Sequence, residues 1–261
     1  MNTEEYLERF KAVPPLQIDL SSLSRLQYLH ITHIPFENLD VIHQIPITLN
    51  IENLYCKVVK QQRGGFCYEL NGLFQQLLDQ LGFNSYLIAG TVYAGDGKWA
   101  KEESHAAIIV ELDKPYLVDV GFGDSFRQPI PLSGEIATDI SGSYRIIEES
   151  QGVYLLQRKR GGEEWQIQHR FTCSPRSLTS FNDACRYNET SPDSPFTKEI
   201  LVTIATEKGR DTLSGDTLTI TNGQNKMKKH ISKDQLEQVL KKHFKIDAKS
   251  VYHNKTLCFD K

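Results

Sequence analysis

The clearest hydrophobic pattern in the chain lies between Leu70 and Leu81, where apolar residues recur at alternating intervals of three and four. This spacing fills one stripe of an α-helix, and Gly82 then supplies the usual stop signal. Cys67 stands in the first turn of the predicted helix, directly after the Gly64-Gly65-Phe66 approach. The apolar positions of the stripe are Leu70, Leu73, Phe74, Leu77, Leu78 and Leu81.

Two further helical patterns precede this segment. Pro14 and Pro15 separate them and Pro35 follows the second, because proline cannot continue a helix. Together with the helix that begins at Cys67, they predict a helical N-terminal region over residues 1–83. The two patterns cover residues 3–12 and 21–33.

From Ser85 the pattern changes to short β-rich runs separated by glycines and turn residues, which predicts an antiparallel sheet or small barrel over residues 84–190. Residues 191–261 follow a loop rich in Asn, Ser, Asp and Pro, and they hold two more strand candidates and a charged helix. This order of helices, strands and mixed elements predicts an α+β fold with three subdomains. The strand candidates are SYLIAGTVY, HAAIIVEL, KPYLVDVGF, YRIIEE, GVYLLQRK, EWQIQHRF, ILVTIAT and DTLTITN.

Composition and charge narrow the classes of function. The 261 residues are enough to bury a sizeable core, so length excludes no enzyme class. The formal net charge of -3 gives no overall attraction to nucleic acid or to an anionic membrane, and we expect neither as a partner. No run of about 18 apolar residues occurs, and the N-terminus MNTEEYLERF has no cleavage site. We therefore expect a soluble, cytoplasmic protein.

The cysteines and histidines lack the spacing of a metal site. The five cysteines are scattered without a CxxC pair, and no HxxxH or HxxEH grouping occurs. We expect no bound metal, and one reactive thiol among buried ones.

Cys67 is the candidate nucleophile. The unpaired amides and the positive end of the dipole at a helix N-terminus stabilise a thiolate. A nucleophilic cysteine also needs an imidazole to take its proton and a third group to orient that imidazole. His105 opens the run HAAIIVEL, and Asp119 is a carboxylate within the apolar run YLVDVGFG, where a charge is costly without a partner.

The turn signal Asp113-Lys114-Pro115 joins these two runs as a hairpin. Side chains alternate faces along a strand, so a loop with an odd residue count centred near Leu112 would bring His105 and Asp119 opposite each other on one face. An even loop would separate them.

Each of the three residues also has an ordinary interpretation. A cysteine in a helix is more often structural, a lone His105 would be a strand-end histidine, and a lone Asp119 would be a turn or salt-bridge residue. The joint pattern favours chemistry over these alternatives. The other seven histidines, His169 among them, have no such setting and are predicted to be surface or structural residues.

Five sequence blocks follow one another along the chain: IPFENLDV, RGGFCYELNGLF, SHAAIIV, YLVDVGFG and SPDSPFT. In this order they resemble the blocks of the arylamine N-acetyltransferases of the bacterial type, and the resemblance covers nearly the whole chain. It implies an N-terminal helical bundle, a central antiparallel β-barrel and a C-terminal α/β lid around a cysteine-protease-like Cys-His-Asp core. The Cys, His and Asp of that core fall on Cys67, His105 and Asp119.

The resemblance also implies a reaction and its ligands. An acetyl group would pass from acetyl-coenzyme A through an acetyl-cysteine to an arylamine or hydrazine. Ser104 and Thr217 fall in segments that resemble those contacting coenzyme A, and the sequence leaves open whether the protein forms a homodimer. Four aromatic residues in or beside the motif blocks are expected to line the acceptor pocket, or else to be plain core: Phe36, Tyr68, Phe122 and Phe196.

Two other functions use the same residues. A papain-like or transglutaminase-like cysteine hydrolase would apply the Cys-His-Asp set to a peptide or glutamine, and a binding module would merely bury the thiol. Arg63, beside the glycine pair, is predicted to anchor that loop through a buried carboxylate, with Glu37 and Glu69 as candidates.

Overall fold

A computed structural model describes residues 1–13 and 17–252, so Pro14 and Pro15 lie outside the described residues. The N-terminal region is helical, as predicted. Side-chain caps fix where two helices begin: Asn2 accepts a hydrogen bond from the Glu5 amide, and Asp19 from the Ser22 amide. The helices of this region are α1 (Thr3–Arg9), α2 (Leu20–His33), α3 (Leu39–Ile42), α4 (Ile51–Tyr55), which runs into a π-helical turn (Cys56–Lys60), and α5 (Cys67–Gln80).

Helix α5 begins at Cys67, as its hydrophobic period predicts. The Glu69 carboxylate accepts a hydrogen bond of 2.7 Å from the Phe66 amide, so the first turn is closed by a side chain three residues along. The predicted stripe is fully buried from Leu70 to Leu78, and the chain leaves the helix through Gly82 at φ +93°.

The middle of the chain forms an antiparallel sheet that curls into a nearly closed barrel of eight strands, with a ninth short strand, β3, on β2. Apolar side chains at alternate strand positions fill its interior, while the opposite face of β2 and β4 packs against α5. The strand order is β6-β5-β4-β2-β10-β9-β8-β7. The strands are β2 (Asn84–Gly95), β3 (Lys98–Trp99), β4 (His105–Glu111), β5 (Pro115–Val118), β6 (Ile130–Pro131), β7 (Ala137–Asp139), β8 (Gly142–Ser150), β9 (Val153–Lys159) and β10 (Gln166–Thr172).

The C-terminal part is a five-stranded antiparallel sheet with helices packed beside it, and its outermost strand, β14, is lined by exposed charged residues that suit a sheet edge. Its other edge is β1 (Phe36–Glu37), which comes from the N-terminal region and pairs Phe36 with Thr203. The elements are α6 (Asn182–Thr190), β11 (Leu201–Thr206), β12 (Gly209–Ser214), β13 (Thr217–Asn222), β14 (Asn225–His230), α7 (Leu236–Phe244), α8 (Ala248–Tyr252) and short 3-10 turns at Leu178–Phe181, Pro195–Thr197 and Lys233–Gln235.

The fold class predicted from sequence is confirmed: an α+β chain with a helical bundle, an antiparallel barrel and an α/β lid. Two strands of the lid, β12 and β14, were not predicted, because their sequences GRDTLS and NKMKKH are too polar to show a strand period. The exact division at residues 83 and 190 stays a prediction. Within the described ranges, no helix is both long and apolar enough to cross a membrane.

Candidate active site

His105 and Asp119 meet at one rim of the barrel. The Nε2 atom of His105 lies 2.7 Å from Oδ2 of Asp119, and both side chains are buried. His105 is the first residue of β4, and Asp119 is the first residue beyond β5. His105 shares the inward face of the barrel with Ala107 and Ile109, which follow it on alternate positions. Asp119 lies two residues after Leu117 on that face.

The hairpin register explains this contact. Strands β4 and β5 pair Glu111 with Pro115 and Ile108 with Val118, so the loop is odd, as predicted. The pairing is centred on Asp113, one residue later than Leu112, so His105 and Asp119 are diagonal rather than directly opposite. Diagonal residues two positions apart share a face, and an aromatic ring can bridge them.

Asn71 holds the other oxygen of Asp119, and sequence reasoning missed it. Its Nδ2 atom donates to Asp119 Oδ1 at 2.8 Å and to the Ala106 carbonyl at 2.7 Å, while its Oδ1 accepts from the Val120 amide at 2.9 Å. The Gly121 amide donates to the same Asp119 oxygen at 2.8 Å. Asn71 stands one helical turn after Cys67, and its fully buried amide requires these partners. The position of a polar residue among the apolar positions of the helix was the signal available in the sequence.

Electrostatics favour charge on both members of the pair. Burial alone would raise the pKa of Asp119, but the charge of His105 and hydrogen bonds from His105, Asn71 and Gly121 outweigh it and lower that pKa. Burial alone would lower the pKa of His105, but the charges of Asp119 and Cys67, with hydrogen bonds to both, raise it to about 10. His105 is therefore an imidazolium near neutral pH.

Cys67 completes the set from the N-terminus of α5. Its side chain is buried, and its thiol interacts with His105, as the pKa of that imidazole reflects. Gly121 makes the close approach possible, because a Cβ atom at that position would lie 2.6 Å from the Cys67 Cα. The structure thus brings Cys67, His105 and Asp119 together from three separate parts of the chain.

Aromatic rings pack against the residues that neighbour the Cys67 thiol. Phe122 stands edge-on to the His105 ring, with centroids 5.0 Å apart and planes at 87°. Phe36 and Phe196 both pack against Phe66, the residue before Cys67, at centroid distances of 5.8 and 4.8 Å. Three of the four aromatic residues expected in an acceptor pocket therefore lie beside the site.

Tyr68, the fourth, points elsewhere. It is fully buried, and its hydroxyl donates to the Ser104 carbonyl at 2.5 Å and accepts from Asn188 at 2.9 Å. Ser104 is thereby fixed directly before His105. Thr217 opens β13 and lines a separate cavity of about 460 Å³ that also includes Glu199.

Arg63 anchors the loop before Cys67, as predicted. Its guanidinium is fully buried and pairs with Glu37 and with Asp40, each at 2.7 Å. Glu69, the other predicted partner, pairs instead with Lys57 at 2.7 Å. This buried network of charges fixes the glycine pair in place, since losing one partner would leave a buried charge uncompensated.

A basic cleft lies where hairpin ends of the barrel and of the lid meet. It encloses about 650 Å³ and is lined by seven cationic and two anionic side chains, an excess of positive charge in a chain whose net charge is -3. Asp124 holds three of the arginines, Arg158, Arg160 and Arg210, through contacts of 2.6 to 3.3 Å. The charged lining residues are Arg127, Arg158, Lys159, Arg160, Lys208, Arg210, Lys226, Asp124 and Asp139.

No group of three or more His, Cys, Asp or Glu side chains in the described parts of the chain could hold a metal ion. A thiol at a helix mouth, an imidazole and an orienting carboxylate define the class of cysteine enzymes that carry an acyl group on sulfur.

Comparison with known proteins gives the particular family. The N-acetyltransferase family model matches residues 19–251. An acetyltransferase of Bacillus subtilis is 39% identical over 80% of this chain and 85% of its own, and the arylamine N-acetyltransferase of Mycolicibacterium smegmatis is 33% identical over 92% and 89%. Arylamine N-acetyltransferase C of Bacillus anthracis superposes with a TM-score of 0.88 at 31% identity, over 94% and 98%. The chain belongs to the arylamine N-acetyltransferase family, and it is an acyltransferase.

Proposed function

We propose that this protein transfers the acetyl group of acetyl-coenzyme A to an arylamine, arylhydrazine or hydroxylamine, with Cys67 as the carrier. The observation that carries the proposal is the buried contact of His105 with both Asp119 and the thiol. This arrangement favours a thiolate and imidazolium pair, which is the reactive form of a cysteine nucleophile.

The first half-reaction acetylates the enzyme. The Cys67 sulfur attacks the thioester carbonyl, the bond between the carbonyl carbon and the coenzyme A sulfur breaks, and His105 gives its proton to the departing thiolate. Asp119 keeps the imidazole oriented throughout, because its Oδ1 is held by Asn71 and Gly121 and its Oδ2 faces His105. The products are coenzyme A and an acetyl-cysteine.

In the second half-reaction the acceptor nitrogen attacks the acetyl-cysteine. The carbon–sulfur bond breaks, the proton from nitrogen passes to His105, and the thiolate and imidazolium pair is restored. Aromatic amines are neutral near pH 7, so their pocket needs flat apolar walls rather than a counter-charge. We assign this role to Phe36, Phe122 and Phe196, whereas the ring of Tyr68 packs against Phe181 and its hydroxyl fixes Ser104.

Buried surroundings protect the intermediate. Cys67, His105 and Asp119 are each less than a tenth exposed, so little water reaches the acetyl-cysteine before the acceptor enters. A cysteine hydrolase of the papain or transglutaminase type would instead admit water or a peptide to the same place. We further propose that the enzyme works in the cytoplasm, where reducing conditions keep such a thiol free.

Intact-mass measurement tests the proposal. We expect one acetyl group on the protein after mixing with acetyl-coenzyme A alone, and loss of that group when an aromatic amine such as aniline is added. An adduct that decays at the same rate without the amine would favour the hydrolase. Absence of any adduct would contradict acetyl transfer.

We also propose that the basic cleft binds the phosphates of coenzyme A, in addition to the contacts expected of Ser104 and Thr217. Asp124 on its rim is five residues after Asp119, so the Cα atoms of these residues are at most about 18 Å apart. The pantetheine arm between the phosphates and the thioester has a comparable reach. Arg210 also lines the small cavity that includes Phe122.

Reversing two charges in the cleft should change the choice of acetyl donor. We expect Lys208→Glu with Lys226→Glu to lower kcat/KM for acetyl-coenzyme A, relative to kcat/KM for the phosphate-free donor p-nitrophenyl acetate, by about tenfold at low salt. Initial rates with both donors measure this ratio.

Lys229→Glu is the matched control, because Lys229 is an exposed lysine on the same strand outside the cleft. An unchanged ratio in the double variant, or an equal change in the control, would remove the cleft from phosphate binding.

A further inference from the structure

A second imidazole is buried beside His105. His169, on β10, is fully buried, and its ring centroid lies 5.3 Å from that of His105. Neither of its ring nitrogens has a hydrogen-bond partner among the described residues. The sequence predicted that His169 is either a surface or a structural histidine. The surface alternative is wrong, because the side chain of His169 on β10 points into the barrel.

Gly90 has no side chain, and this lets the rings of His105 and His169 lie close together. Strand β2 lies between β4 and β10, and it pairs Gly90 with His105 and Val92 with His169, so both rings share one face. A Cβ atom at Gly90 would lie 3.3 Å from Nδ1 of His169 and 3.6 Å from Cδ2 of His105. These two ring atoms therefore border the same gap.

His169 is neutral at this position. Burial, together with the charge of His105, lowers the pKa of His169 to about 3, although Asp119 acts in the opposite direction. The other rings around it, Phe122 and Phe171, are apolar, at centroid distances of 5.6 and 5.5 Å. A neutral imidazole has one nitrogen with a free lone pair, whereas the carbon-bound hydrogens of an imidazolium are electron-poor.

We propose that His169 is a positioning residue for His105: with its own proton on Nε2, it turns the Nδ1 lone pair toward the Cδ2–H edge of the His105 imidazolium across the gap at Gly90. The contact stabilises the charged form of His105 and limits rotation of its ring. This role rests on the proposed function only in that His105 must be charged for Cys67 to be a thiolate.

The charged and titratable groups that face His105 come from three directions. Cys67 faces it from α5, Asp119 from the end of β5, and His169 from β10, while Phe122 closes the remaining side without charge. The first two act through direct hydrogen bonds and account for most of the raised pKa. The contribution of His169 is a smaller addition to that effect.

The wild-type protein gives the first test, through two-dimensional proton–nitrogen spectra of its histidine side chains. We expect His169 to be neutral from pH 6 to pH 9, with its proton on Nε2. A proton on Nδ1, or a charged His169 in that range, would overturn the proposal. This measurement needs no variant and no substrate.

Two substitutions give the second test. His169→Phe keeps a ring in place but removes the lone pair, and Gly90→Ala puts a methyl group into the gap. Each should lower the midpoint of His105 deprotonation by about half a pH unit. An unchanged midpoint in a folded His169→Phe protein would contradict the proposal.

Matched controls change the same chemistry elsewhere. His230→Phe removes an exposed imidazole from β14, and Gly162→Ala adds a methyl group where nothing lies within 4 Å. Neither should move the His105 midpoint. If no acetyl adduct forms but His169→Phe shifts the His105 midpoint, acetyl transfer is refuted while the contact of His169 with His105 is supported. The two proposals can therefore fail separately.

Discussion

Replacing Cys67 by serine will abolish acetyl transfer while leaving the fold intact. A serine hydroxyl is far less acidic than a thiol, and the contacts that favour a thiolate beside His105 are too weak to hold an alkoxide. We expect kcat/KM for acetyl-coenzyme A and an arylamine to fall by at least about 10⁴-fold. Initial-rate kinetics measure the loss, and intact mass should show no acetyl adduct.

Stability separates this result from misfolding. Serine is close to cysteine in size, and Cys67 is 7% exposed, so we expect Tm to change by only a few degrees. Cys173→Ser is the control, because Cys173 is another free thiol, outside the site. Acetylation that survives in Cys67→Ser would remove Cys67 from its role.

Asp119→Asn should lower kcat/KM by about 10³- to 10⁴-fold, because it reverses the hydrogen bonds of the imidazole. Asn71 and the Gly121 amide both donate to Oδ1 of Asp119, so the new amide must place its oxygen there. Its NH₂ group then faces Nε2 of His105, which can only accept. The proton of a neutral His105 is forced onto Nδ1, the nitrogen left for the thiol, and the imidazole cannot take up the thiol proton.

The pH dependence gives a second measure of the same substitution. The charge of Asp119 is the largest influence that raises the pKa of His105, so its removal lowers that pKa from about 10. The imidazolium form is then lost at lower pH, and iodoacetamide should alkylate Cys67 more slowly at pH 6 than in the wild type. Asp113→Asn, in the turn of the same hairpin, is the matched control. Equal alkylation rates in Asp119→Asn and the wild type would show that another group activates Cys67.

Local sequence pattern was enough to select Cys67, His105 and Asp119, which the structure brings together. The period of α5 located its first turn at Cys67, and the turn signal near Asp113 predicted a hairpin. The sequence left its register open, and the structure has the odd register that the contact of His105 with Asp119 requires. Arg63 was predicted to pair with Glu37 or Glu69, because a buried guanidinium requires a carboxylate, and it pairs with Glu37. In each case the information lies within one element, or in a charge that needs a partner.

Contacts between distant elements could not be predicted in this way. Asn71 links a helix to a strand end, and its partners other than Asp119 are backbone groups that no sequence pattern identifies. His169 gains its position from Gly90, and a glycine within a strand run predicts only a weaker strand. The two-residue strand β1 is too short to show any period, yet it joins the first and last parts of the molecule.

That short strand restricts how ligands reach the thiol. Its residue Phe36 is paired with Thr203 in β11, and the adjacent Glu37 is tied to Arg63, four residues before Cys67. A hinged opening of the C-terminal sheet would break the backbone hydrogen bonds between β1 and β11 beside a buried ion pair, and both contacts disfavour such an opening. We therefore expect the C-terminal sheet to serve as a fixed wall, with entry controlled by rotation of the phenylalanine rings. Amides of β11 should accordingly exchange with deuterium as slowly as those of the barrel, with and without coenzyme A.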